Sequence, residues 1–345
     1  AIVTGARGQL GSYMCELLLK EGMKVYGLHR RCSQHVFTNL KDCLDHPNFE
    51  LIEGDIVDGP CITGIISDIK PDYLYNFAAQ SHVHSSFDQA ASTININLIG
   101  VSHILDAIRK YKKKTKMLQS SSSEQFGSNY SRKIGENNEA IKYQDEKTNW
   151  KPVSPYAISK AAASDLVRIY KQAYNLDVVC SICFNMESPR RGPNFVTRKI
   201  TKWIAANIDM LKSQKKQFYP GFIEYNCEKR QRLHLGNLDS CRDWGHAIDF
   251  CRAMRKIIDF QPAQDFVVCT GETHSIKEFL QIAFNYVGTE NWEDYVYVDH
   301  KFYRPFELDY LRGDCTKLKE KIGWEPKYTL KQIVHEMIDS DLNDK

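Results

Sequence analysis

The sequence predicts a doubly wound parallel α/β sheet into which a smaller α/β lobe is interleaved. Three observations predict it. The chain opens with a short apolar strand, a glycine-spaced turn and a helical run, all before Gly22. Short apolar runs then alternate with helical ones, the pattern of repeated βαβ units. Near the middle, Pro155 starts an alanine-rich helical run that carries Tyr156 and Lys160 four residues apart, and so on one face.

Taken in order, residues 1–4 read as the first strand, and the turn Gly5-Ala6-Arg7-Gly8-Gln9-Leu10-Gly11 leads into a helix over 12–21. Glycines let a backbone approach a pyrophosphate closely, and a helix N-terminus offers free N–H groups to it. Gly5, Gly8, Gln9, Leu10 and Gly11 are therefore candidate cofactor contacts. Because the chain opens inside a strand, native residues are expected before Ala1. The second strand, 24–28, runs into His29-Arg30-Arg31-Cys32-Ser33. A site for NAD usually has Asp or Glu here to take the ribose 2′-hydroxyl. Arg30, Arg31 and Ser33 suit a 2′-phosphate instead, so the expected cofactor is NADP.

A strand at 50–53 precedes Gly54-Asp55-Ile56, and one at 72–77 ends at Phe77 before Ala78-Ala79-Gln80-Ser81-His82. Small residues after a strand fit a cofactor lying across its C-terminal end. His82 and His84 have H-x-H spacing without an evident third ligand, so no metal is expected. A helix over 93–112 ends in a lysine-rich run, read as a solvated helix end with cations at the dipole's negative pole. The strand 116–119 meets a serine run, Ser120 to Ser123, that holds Glu124. A carboxylate placed among small hydroxyls in a cleft can serve as a base. Tyr156 is a second candidate base, since an ammonium such as Lys160 beside a phenol favours the phenolate. Residues 178–184 are apolar and read as a buried strand, so Cys180-x-x-Cys183 belongs to the core rather than to zinc.

Composition excludes several classes. Hydrophobic residues make up 42% of the 345, and the net charge of +3 argues against a nucleic-acid partner. Eleven cysteines are an odd number in a chain too large to be a disulfide-stapled scaffold. Reduced thiols and a cytoplasmic location are the expectation. No stretch reads as a signal peptide, and no apolar run reaches the roughly 18 residues needed to span a bilayer, so no membrane association is expected.

The motifs Thr4-Gly5-x-x-Gly8-x-x-Gly11, Ala78-Ala79 and Tyr156-x-x-x-Lys160 resemble an extended short-chain dehydrogenase/reductase with a Rossmann domain. The second half is more specific. Asn185-Met186-Glu187-Ser188-Pro189-Arg190-Arg191-Gly192-Pro193-Asn194, Leu235-Gly236-Asn237-Leu238, Arg242-Asp243-Trp244-Gly245-His246 and Tyr303-Arg304-Pro305-Phe306-Glu307 closely resemble the GDP-mannose 4,6-dehydratase family. The resemblance implies a redox-neutral elimination. Tyr156 would take the sugar 4-hydroxyl proton while hydride passes from C4 to NADP. Glu124 would take the C5 proton as water leaves C6, and hydride would return to C6. Ser122 stands where the family usually has threonine. Ser81, Ser122, Glu124, Tyr156, Asn185, Asn194, Lys199, Gly236, Arg242, Arg304 and Glu307 would contact GDP-mannose. Arg191 matches a cofactor contact, and Met186 replaces a cofactor-contacting histidine.

Other departures are Ser92 for a usual tyrosine, a short loop after Arg31 and a long 209–232 segment. The loop after Arg31 helps build a tetramer interface in typical members, and a homodimer or homotetramer is implied here. A GDP-heptose dehydratase or a same-fold epimerase is the alternative, Glu124 speaking against the epimerase. Residues 1–184, with about 236–260, are assigned to the NADP-binding domain. The GDP-sugar lobe takes 185–235 and 261–345.

Overall fold

The fold was described from a computed structural model covering residues 1–33, 37–135, 138–213 and 232–344. Seven parallel strands form the central sheet: β1 (Ile2–Thr4), β2 (Val25–His29), β3 (Phe49–Glu53), β4 (Tyr73–Asn76), β5 (Lys116–Ser122), β6 (Val178–Cys183) and β7 (Phe266–Val268). Their order is β7-β6-β5-β4-β1-β2-β3. The chain winds outward from β1 to β3, then crosses back to β4 and winds the other way. This reversal opens a crevice at the C-terminal ends of β1 and β4, where such sheets bind ligands.

Alternation along the strands builds a core on each face. Ile2, Leu74, Met117 and Val178 turn to one side, against α2 (Gly59–Ile69), α3 (Gly100–Tyr111) and α4 (Pro155–Tyr174). Their neighbours Val3, Tyr75, Leu118 and Val179 turn to the other, with α1 (Gln9–Lys20) and α6 (Ala247–Ile257). Strands buried on both faces must read as continuous apolar runs, which is why they were legible. A third cluster unites α5 (Val196–Ala206), α7 (Ile276–Tyr286) and α9 (Leu330–Asn343) through Ile200, Ile204, Phe279, Phe284, Val334 and Ile338. It forms the core of the smaller lobe, with the paired strands Leu233–Leu235 and Val296–Val298.

Several boundaries differ from expectation. Phe266–Val268, assigned above to the smaller lobe, is the edge strand of the main sheet, pairing with Ser181–Cys183. The helix α8 (Thr316–Ile322) follows it there, because Leu311, Cys315, Leu318 and Trp324 bury into the sheet's core. Conversely, Leu238 and Trp244 bury in the smaller lobe's cluster. The helix expected over 93–112 is in pieces, with a π-helical turn at Asn95–Ile99 ahead of α3. Of the 209–232 segment, 214–231 lies outside the described residues, as does 34–36 in the loop after Arg31.

Candidate active site

A cleft of about 870 Å³ runs from the glycine turn, across the ends of the central strands, to the smaller lobe. The turn is shaped by contact rather than by glycine content alone. Gly5 has φ of +63°, and a Cβ there would meet the Ala78 nitrogen at 2.9 Å; a Cβ on Gly11 would meet the Gly5 carbonyl oxygen at 2.3 Å. Helix α1 then starts at Gln9 with Gly8 as its N-cap and no side chain satisfying its first N–H groups. An open helix N-terminus facing a cleft fits a pyrophosphate. Gln9 is held at both ends of its amide: Nε2 donates to the Met186 carbonyl at 3.0 Å, and Ser188 Oγ donates to Oε1 at 2.6 Å. Met186 thus reaches the cofactor region through its backbone, while its side chain packs against the core.

Thr4 couples the strand ends. Its hydroxyl donates to Asn76 Oδ1 at 2.5 Å and accepts from the Phe77 and Ala78 nitrogens, and Asn76 Nδ2 donates to Gln119. Phe77, Ala78, Ala79, Gln80 and Ser81 consequently line the cleft as a strip. Asp55 and Ile56 line its far side with Arg30 and Arg31, whereas exposed Ser33 is not brought to it. Neither Arg30 nor Arg31 makes an ion pair among the described residues. Sequence reasoning missed Arg7, which lines the same end; its guanidinium lies 4.9 Å from the Phe37 ring centroid and beside Cys32. The signal was its position between the first two glycines.

Tyr156 and Lys160 sit where expected and behave differently. Ser154 caps α4 by accepting from the Ala157 nitrogen, and Pro155 occupies the first turn. This starts the helix so that both side chains are buried against β5, with Lys160 Nζ donating to the Ser120 carbonyl at 2.8 Å. Lys160 Nζ is 5.9 Å from the Tyr156 ring centroid. Burial pushes the Tyr156 phenol up to about 12, against the pull of a hydrogen bond with Ser122, and the nearby Glu124 charge adds to the rise. Burial also lowers Lys160 to about 8. The expected lowering of the phenol by Lys160 is therefore absent here: with the lysine bonded to a carbonyl, desolvation outweighs its field.

Glu124 is buried beside this pair because the serine run is only partly a loop. Ser120, Ser121 and Ser122 continue β5, pairing with Ser181, Ile182 and Cys183, and a 3₁₀ turn (Ser123–Phe126) follows. Ser122 Oγ accepts from the Glu124 nitrogen at 3.3 Å. Across the cleft, Arg304 Nη1 is 3.5 Å from Glu124 Oε1 and 3.7 Å from Glu307 Oε1, which Arg242 also binds at 2.9 Å. Burial lowers the Arg242 pKa. Two arginines shared between carboxylates can transfer their forks to phosphate oxygens.

Asn185, Asn194, Lys199 and Gly236 line the remaining wall. Lys199 Nζ lies 3.7 Å from the Phe302 ring centroid and donates to the His234 carbonyl. Arg191 stacks over Phe195 at 3.5 Å and pairs with buried Glu187 at 3.2 Å, whose other partner is the Thr197 hydroxyl. Asp243, missed by sequence reasoning, organises this wall from behind. Its carboxylate accepts from the Thr270 nitrogen and hydroxyl and from the Gly271 and Gly313 nitrogens. Burial raises it to about 6 even so.

Residues 2–337 match the family model described as GDP-mannose 4,6 dehydratase. The chain is 38% identical to the human GDP-mannose 4,6 dehydratase, with 99% of this chain and 91% of that protein covered. It is 39% identical to GDP-mannose 4,6 dehydratase 1 of Arabidopsis thaliana, over 99% and 89%. Among solved structures, the dTDP-glucose 4,6-dehydratase of Streptomyces venezuelae, with NAD and TYD bound, superposes at a TM-score of 0.78. That pair is 22% identical, with 98% of this chain and 95% of that one covered, a likeness of fold. With a glycine-turn cleft, a buried Tyr–Lys pair and a carboxylate at its end, this chain belongs to the GDP-mannose 4,6-dehydratase family.

Proposed function

We propose that the protein converts GDP-mannose to GDP-4-keto-6-deoxymannose and water, with NADP as a recycled cofactor, and that it acts as a carbon–oxygen lyase. Family membership supports the reaction class. The observation that carries the chemistry is the second base: Glu124 lies in the same cavity as Tyr156 and close enough to perturb it. An oxidation–reduction at C4 alone needs only the phenol.

The glycine turn and the α1 N-terminus would hold the pyrophosphate, and Arg30 and Arg31 the 2′-phosphate. When bound, NADP supplies the redox chemistry, taking hydride from C4 of the sugar and returning it at C6. Tyr156 accepts the proton of the 4-hydroxyl, with Ser122 hydrogen-bonded to the phenol. A ketone at C4 acidifies the C5 proton, which Glu124 removes and which leaves with the 6-hydroxyl as water; the proton that Tyr156 took from the 4-hydroxyl balances the one C5 regains as C6 is reduced. Arg242 and Arg304 neutralise the diphosphate, relieving the carboxylates that hold them in this structure. Release of Arg304 from Glu124 would free that carboxylate for its work.

Exposed Ile158 and Ile169 on α4 support a homo-oligomer. No helix among the described residues is long and apolar enough to cross a membrane. The described cysteines are free thiols, which fits a reducing, cytoplasmic setting. Incubation with GDP-mannose and a catalytic amount of NADP tests the reading: the sugar nucleotide loses one water per turnover without net reduction of the cofactor. Stoichiometric NADPH, or unchanged substrate, would overturn it.

A further inference from the structure

We infer that His82 presents its Nε2–H to the hexose end of the substrate and is a further substrate-contacting residue; this rests on the reaction proposed above. The geometry fixes the ring. Its backbone is clamped on both sides by Gln80, whose Oε1 accepts from the His82 nitrogen at 2.7 Å and whose Nε2 donates to its carbonyl at 3.1 Å. Ring Nδ1 lies 2.7 Å from Ser85 Oγ and accepts from the Ser85 nitrogen at 3.3 Å. An Nδ1 that accepts a backbone N–H leaves the proton of the neutral ring on Nε2. The Phe195 ring packs edge-on against the imidazole at 5.7 Å and prevents it from turning.

Nε2 has no hydrogen-bond partner among the described residues, and His82 lines the cleft half-buried. The charges facing it are all cationic or imidazole: Arg304, His84 and Arg191. Together with burial, they hold its pKa below the usual value and keep the ring neutral. Arg304 is the guanidinium beside Glu124, and the short helix that His82 caps, Val83–Asp88, meets the Tyr156 nitrogen through Ser86 Oγ at 3.2 Å, so His82 stands at the reacting end of the cavity. A neutral, oriented donor there suits a hexose hydroxyl, and its loss forfeits binding of the sugar rather than of the nucleotide.

Two variants separate this role from that of a helix cap, because they keep opposite halves of the imidazole. His82→Asn keeps an acceptor near Nδ1 for Ser85 and loses the distal donor. His82→Gln places an amide N–H near Nε2 and gives up the cap. Calorimetric binding of GDP-mannose and of GDP to the full chain with NADP present, in a Tyr156→Phe background that serves as the parent and does not turn the sugar over, reads the difference. His82→Asn is expected to weaken GDP-mannose about tenfold, the loss of one hydrogen bond, and to leave GDP within twofold. His82→Gln should bind GDP-mannose within threefold of the parent. Equal GDP-mannose binding by parent and His82→Asn would overturn the inference, as would weakened binding by Gln alone, the mark of a cap. Equal loss for GDP and GDP-mannose would overturn the placement at the hexose. A parent that binds no GDP-mannose would instead overturn the proposed reaction.

Discussion

Lys160→Met isolates what the ammonium contributes to the phenol. Tyr156 stands at about 12, too high for a base near neutrality. Lys160 lies 5.9 Å from the ring centroid. At an effective dielectric of about 20, a unit charge about 6 Å away is worth about 3 kcal/mol, or close to two pKa units. Tyr156 stands at about 12 with Lys160 already in place, so removing the ammonium raises it further, and the whole descent toward neutrality comes from the filled site. The variant, assayed at saturating NADP, is expected to lose about a hundredfold in rate at neutral pH, with the acid limb of its pH–rate profile displaced upward by about two units. The alkaline side gives an independent sign. Lys160 is charged below its pKa of about 8 and neutral above it, so the parent should lose activity as pH rises through that value. Lys160→Met, which has no such proton to lose, should not show that fall. A hundredfold loss without displacement of the acid limb would refute the electrostatic role and leave Lys160 as a ligand anchor.

Three further perturbations address other parts of the site. Glu124→Gln should still support oxidation at C4 but block loss of water, so solvent deuterium should not enter C5; product formation at the parent rate would give Glu124 another role. Arg30→Ala combined with Arg31→Ala should weaken NADP by tenfold or more while changing NAD little, as fluorescence titration would show, and equal losses would remove the 2′-phosphate argument. Asp243→Ala strands four buried or half-buried donors that now share one carboxylate. Urea unfolding should show a loss of about 3–5 kcal/mol, and a loss below 1 kcal/mol would mean that water replaces the carboxylate.

What the sequence disclosed was what periodicity and spacing carry. Doubly buried strands, the glycine turn and the Pro155 start of α4 are local patterns with local causes. Phe266–Val268 was misassigned because three apolar residues carry no period, and their pairing with β6 is decided by tertiary contact. The serine run continues β5 although serine is a poor strand former, since Ser121 Oγ finds Gln125 Oε1 and Ser164 Oγ in the interior. Asn97 was likewise hidden: the π-helical turn aims its buried amide at the Gln80 backbone and Ser159, which no linear pattern announces. In the site, residue identities came from motifs, but the sign of the Tyr156 shift depends on burial. Asp243 and His82 matter through partners far away in sequence.

The central claim is that one hydride leaves C4 and comes back to the same sugar at C6 while Glu124 manages a proton between them. GDP-mannose carrying deuterium at C4 measures this most directly. The account predicts a 6-deoxy product with that deuterium at C6 and, in ordinary water, no label in solvent or left on the released cofactor. Deuterium accumulating in free NADPH, or a product that keeps its 6-hydroxyl, would contradict it.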